Sequence, residues 1–131
     1  MFGRLPLRST VVSLFLGVGS LTIQLAHSQA ARGAIGGEVR DPSGAVIPNV
    51  QIKLVEIRTN QEYEAKTDKS GFYTIVNLLP GSYRLMVEAE GFKRFTQEGI
   101  QLTTGEKMRV DANLTVGSPS EIITVTSDAP L

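Results

Sequence analysis

A chain of 131 residues with 41% hydrophobic and 20% charged side chains has room for one domain with a sizeable core. Its 13 basic and 13 acidic residues cancel, so there is no cationic surplus to hold nucleic acid. Cysteine is absent and the one histidine, His27, falls in a removable leader, which excludes Ser-His-Asp and Cys-His nucleophilic catalysis and nearly all zinc chemistry.

The leader is read from its order of residue types. Arg4 and Arg8 precede an apolar run over residues 11–25, and Ala26, Ser28 and Ala30 follow as small residues, the pattern of a secretory signal peptide. A membrane anchor would need about 20 apolar residues. This run is shorter and is interrupted by Ser13, Ser20 and Gln24, so cleavage after Ser28 or Ala30 is expected. Loss of Arg4 and Arg8 leaves 11 of the 13 basic residues against 13 acidic ones, a net charge of −2.

Residues 34–41 form the first expected strand, with Ile35, Gly37 and Val39 on one face and Glu38 and Arg40 on the other. It stops at Asp41-Pro42-Ser43-Gly44, whose Asp, Pro and Gly suit a type I turn. Val50, Ile52 and Leu54 alternate with Gln51 and Lys53 in a second strand, and polar residues 58–61 connect it to a third over residues 62–67. Asp68 to Gly71 supplies another turn with Asp first and Gly last. Residues 72–79 are short, apolar and β-prone, and Pro80-Gly81 offers the fixed and the positive φ of a type II turn. Tyr83, Leu85, Val87 and Ala89 then alternate with Arg84, Met86, Glu88 and Glu90, and Tyr83 is expected to bond its hydroxyl to nearby backbone, like a tyrosine corner.

Residues 92–99 give a weaker strand, after which Ile100 and Leu102 lead to a turn at residues 103–106. Met108, Val110, Ala112, Leu114 and Val116 alternate without a fault, the clearest strand in the sequence. Residues 117–120 break it, and residues 121–126 form a last β-prone run. Short strands at intervals of about 8 to 12 residues with turns between them predict an all-β fold, a seven- or eight-stranded Greek-key β-sandwich. The domain is expected over residues 31–117 behind a signal peptide at residues 1–30, with a C-terminal strand and linker over residues 118–131.

Gly37-Glu38-Val39-Arg40-Asp41, Gly44 and Ile47-Pro48-Asn49-Val50 are followed in order by Thr67-Asp68, Gly71-Phe72-Tyr73, Leu79-Pro80-Gly81-Ser82-Tyr83 and Gly91-Phe92. In that order and spacing they resemble the carboxypeptidase regulatory-like domain, which implies a transthyretin-like (prealbumin-like) sandwich. A signal peptide, this domain and the tail Ser120-Glu121-Ile122-Ile123-Thr124-Val125-Thr126 with Ala129-Pro130-Leu131 are similar to the start of Oar-like TonB-dependent outer-membrane receptors of Gram-negative bacteria. The resemblance implies a non-catalytic accessory or recognition domain in the periplasm or outer membrane. Its partners would be envelope proteins, among them a receptor plug and barrel, and no cofactor is implied.

Candidate sites each meet a structural alternative. Asp41, Asp68 and Asp111 lack calcium-loop spacing, and turns account for the first two. Glu62 and Glu64, like Glu88 and Glu90, place two carboxylates on one strand face, where solubilising charge is the alternative to glycosidase chemistry. A Lys–Asn isopeptide cross-link lacks a lysine on the first strand, and Asn113 faces outward. Carbohydrate binding is the competing function, because the starch-binding-like domains share the fold. No Trp is available for it, and its candidate contact surface is Tyr73, Phe92 and Phe95, for which core or inter-strand packing is the favoured alternative to an exposed patch.

Overall fold

Alternation of large aliphatic residues with polar ones, punctuated by Asp-to-Gly turns, leaves this chain one economical way to bury its apolar faces, which is to stack two sheets. The computed structural model describes Gly3 and residues 31–127, so the expected signal peptide lies, but for Gly3, outside the described residues. Among the described residues nine strands follow in order, against the seven or eight expected: β1 (Gly33–Arg40), β2 (Gln51–Glu56), β3 (Glu62–Lys66), β4 (Phe72–Leu78), β5 (Gly81–Glu88), β6 (Arg94–Leu102), β7 (Lys107–Arg109), β8 (Ala112–Asn113) and β9 (Ile122–Thr126). The smaller sheet has the order β4-β1-β7, with β8 also pairing β1, and the larger has the order β3-β2-β5-β6-β9. The expected β-sandwich is therefore the observed fold. Ile35, Val39, Tyr73, Ile75 and Leu78 from one sheet meet Ile52, Leu54, Tyr83, Leu85, Val87 and Ile100 from the other. Each such side chain contributes about 1.5–3 kcal/mol on full burial.

Both Asp-to-Gly turns form as expected. The Asp41 carboxylate accepts from the amides of Ser43 (2.9 Å) and Ala45 (3.0 Å), and that of Asp68 from the amides of Ser70 (2.8 Å) and Phe72 (3.0 Å). Tyr83 is fully buried and donates its O–H to the Leu79 carbonyl at 2.6 Å, the expected corner.

Three expectations need correction. Pro80-Gly81 does not close a hairpin, because β4 and β5 lie in different sheets and residues 79–80 cross between them. The positive φ falls instead on Asn77 (62°), inside a bulge that sets Val76 and Asn77 against Ala34, and Asn tolerates this conformation. Residues 94–102 form a single strand, bulged at Gly99 (φ 72°), rather than a weak strand followed by a lead-in.

The faultless alternation over residues 108–116 does not become one strand. Its first part runs parallel to β1 as β7, and β8 resumes beyond a break at Val110-Asp111. There the Glu38 amide donates to the Asp111 carboxylate (2.8 Å), so a side chain replaces the main-chain acceptor of a regular ladder. The facial pattern survives the break: Val110, Ala112 and Leu114 are buried while Asp111 and Asn113 are exposed. At the tail, β9 runs parallel to β6 at the edge of the larger sheet.

Candidate functional site

Strand alternation decides which aromatic rings reach solvent. In β4 the outward residues are Phe72, Thr74 and Val76, which turns Tyr73 into the core opposite Gly37. Tyr73 is 1% exposed and donates its O–H to the Val110 carbonyl at 2.7 Å; burial pushes its phenol well above the ordinary value. Phe95 is buried at 6% exposure, and Phe92 is half-buried against the core. The structure thus decides the candidate contact surface of Tyr73, Phe92 and Phe95 in favour of packing: Tyr73 and Phe95 are core residues and Phe92 packs against them. The exposed ring is that of Phe72, at 39%.

Phe72 belongs to a furrow of about 290 Å³ on the outer face of the smaller sheet, floored by Ala34 and Gly36 and flanked by Lys107 and Arg109. Gly36 pairs with Thr74 on one side and Arg109 on the other. The Arg109 guanidinium crosses β1 and sits 5.2 Å from the centre of the Phe72 ring, a cation–π contact. Arg109 also donates to Glu38 (3.3 Å) and to Asp111 (3.0 Å), and Glu38 receives Arg40 as well (2.9 Å). The Glu38 carboxylate is occupied by two guanidinium groups, and guanidinium does not give up its proton at physiological pH. This cluster can orient a contacting surface but has no group poised for acid–base or nucleophilic work.

The other candidates separate. Glu62 pairs with Lys53 (3.2 Å) and Glu88 with Arg94 (2.7 Å), so each carboxylate pair is partly neutralised across strands. Asn113 is exposed, and Asp41 and Asp68 serve their own turns. Among the described residues no three His, Cys, Asp or Glu side chains gather in a way that could hold a metal ion. Sequence reasoning missed Phe72 and Arg109, whose meeting depends on β4 and β7 flanking the same stretch of β1. The local hint was Arg109-x-Asp111, two opposite charges on one strand face.

These contacts set a pH profile. Hydrogen bonds from Ser43 to Asp41, from Thr59 to Glu56 and from Thr103 to Glu106 hold three carboxyls below their ordinary values. Burial opposes the charge on Asp111, but Arg109 and the Glu38 amide outweigh it and its carboxyl is also lowered. A depressed carboxyl stabilises the fold above its unfolded value and loses that contribution as pH falls through the folded one. Burial raises the Tyr73 and Tyr83 phenols, which stabilise below their unfolded value and lose that contribution as pH rises through the folded one. Urea midpoints are therefore expected to be level between about pH 6 and 9, falling below about pH 4 and above about pH 10. A midpoint that held constant down to pH 2 would contradict these hydrogen bonds.

Known proteins match this geometry. The carboxypeptidase regulatory-like domain profile matches residues 34–115. The TonB-dependent transporter Oar of Myxococcus xanthus is 29% identical over 130 residues, 95% of this chain and 11% of that protein. A probable rhamnogalacturonate lyase B of Aspergillus niger is 29% identical over 89 residues, 60% of this chain and 12% of that protein. The chain thus spans only about a ninth to an eighth of the length of these relatives. Among solved structures, the Bacillus anthracis TIE protein superposes with a TM-score of 0.56 at 17% identity, covering 66% of this chain and 17% of that one, a likeness of fold alone. The family profile spans β1 to β8, and with the sandwich and its Tyr83 corner it makes this chain a member of the carboxypeptidase regulatory-like domain family.

Proposed function

We propose that the chain is an exported, non-catalytic recognition domain of a TonB-dependent outer-membrane receptor, acting through contacts with other envelope proteins. The observation that carries this reading is the extent of the likeness to the Myxococcus xanthus transporter, which covers 95% of the chain and so extends beyond the family profile at residues 34–115. The likeness to the lyase covers 60%. The locked charges around Glu38 and Arg109 suit a contact surface, and the exposed Phe72 and Val76 beside them supply apolar area for a protein partner. The carbohydrate-binding alternative loses its aromatic platform with the burial of Tyr73 and Phe95.

Fractionation of a Gram-negative host expressing the full chain with a C-terminal tag tests the reading. The tagged protein is expected in the periplasm or outer membrane with its amino terminus trimmed near Ser28 or Ala30, as read by intact mass. A photoreactive residue at Val76 should then cross-link to an envelope protein. Retention of an untrimmed chain in the cytoplasm would rule the proposal out.

A further inference from the structure

Six of the eleven guanidinium and ammonium groups of the described residues are committed to carboxylates: Arg40 and Arg109 to Glu38, Lys53 to Glu62, Arg84 to Glu98, Lys93 to Glu121 and Arg94 to Glu88. Of the other five, Lys66, Lys69 and Lys107 stand apart, whereas the two arginines, Arg32 and Arg58, share one site. Both line a cleft of about 450 Å³ at the end of the sandwich where the chain enters β1, between the β2–β3 hairpin and the β4–β5 crossover. Among the described residues neither guanidinium has an ion-pair partner within 4 Å, although, beside the Thr59 hydrogen bond, the Arg58 charge helps to hold the nearby Glu56 carboxyl below its ordinary value. The cleft's own acid, Glu56, is turned to the hairpin, accepting from the amides of Thr59 (2.7 Å) and Arg58 (3.3 Å) and from the Thr59 hydroxyl.

The remaining polar groups divide in the same way. The Tyr83 hydroxyl is spent on Leu79, whereas the Tyr63 hydroxyl and the Asn77 side-chain amide have no protein partner among the described residues. Leu79, 42% exposed, and Pro80 form an apolar rim. The frame holding these groups is tied by backbone hydrogen bonds. Gly105 N donates to Ala31 O (3.1 Å) and Ala34 N to Glu106 O (2.9 Å) on either side of Arg32, while Asn60 N donates to Glu56 O (2.8 Å) across the hairpin that carries Arg58.

Two guanidinium forks match the planar, two-oxygen geometry of a carboxylate. Tyr63 and Asn77 can each donate and accept, as hydroxyl groups do; a sulfate only accepts and would leave the Asn77 carbonyl oxygen unmatched. The volume lies within the range of about 300–1,000 Å³ typical of small-ligand sites. We propose that this end cleft binds a carboxylate carried on a hydroxylated ring, the chemistry of an acidic sugar. Arg32 and Arg58 take the carboxylate, Tyr63 and Asn77 take ring hydroxyls, and Leu79-Pro80 packs on the C–H face of the ring. The site stands independently of whether the domain serves a receptor.

Calorimetric titration of the full chain, purified as the cell processes it, tests the site with trigalacturonate, its neutral galactose counterpart, inorganic phosphate and a glutamate-rich peptide as probes. Saturable binding of trigalacturonate is expected, with the other three probes at least about tenfold weaker. Arg58→Gln and Arg32→Gln, which change separate elements, should each weaken trigalacturonate binding about tenfold while leaving the unfolding midpoint in place. Lys107→Gln, which removes a cation from the Phe72 furrow, should not change it. The proposal is overturned by no binding at about 10 mM, by equal binding of the neutral sugar, phosphate or peptide, or by unchanged affinity in both arginine variants.

Discussion

Gly37→Ala is expected to lose about 3 kcal/mol or more of folding stability, read as a drop in urea midpoint or as failure to accumulate folded protein. A Cβ at Gly37 would lie 1.8 Å from the Val110 carbonyl oxygen and 2.5 Å from its carbon, both backbone atoms that no rotamer change can move aside. The same carbonyl accepts from the buried Tyr73 hydroxyl, and the next residue, Asp111, holds the Glu38 amide. Pushing Val110 away therefore strains both contacts together. A Gly37→Ala variant with the parent midpoint would show that residues 110–111 do not pack on β1 as described.

Tyr83 carries the second large effect, and two substitutions separate its parts. Tyr83→Phe keeps the ring and loses only the hydrogen bond to Leu79 O, at a cost of about 1 kcal/mol. Tyr83→Ala also empties a fully buried ring site, where the cost rises to about 3–5 kcal/mol. The neighbouring ring of Tyr63, 6.4 Å away between centroids and tilted by 57°, loses a packing partner only in the alanine variant. Equal losses in the two variants, read from chemical denaturation, would contradict this division. A silent Tyr83→Phe would show that the corner hydrogen bond adds nothing net.

What could be read from the sequence was what short-range chemistry decides. Asp41 and Asp68 bond to amides two and four residues away, so their turns are written in a few consecutive letters. Tyr83 reaches only to Leu79. The strand break at Val110-Asp111 was not legible, because its cause is a bond between Glu38 and Asp111, 73 residues apart. Nor was the outward ring: alternation requires one of Phe72 and Tyr73 to face solvent, and only the pairing of Tyr73 with Gly37 decides which. The end cleft draws Arg32, the hairpin residues Arg58 and Tyr63, and Asn77 from three separate stretches, and no local pattern links them. Pro80-Gly81 misled for a related reason: its composition suits a tight reversal, while the chain there passes from one sheet to the other.

The larger sheet has two rims of unequal character. At one, β3 presents Glu62, Glu64 and Lys66, charges that discourage another chain from adding a rung. At the other, β9 presents Ile122-Ile123-Thr124-Val125-Thr126 without charge or proline, with Ile122 and Val125 substantially exposed. Growth of this sheet by a further chain is thus favoured on the β9 side and discouraged on the β3 side, which gives the domain a built-in polarity for assembly and, when crowded, for unwanted stacking.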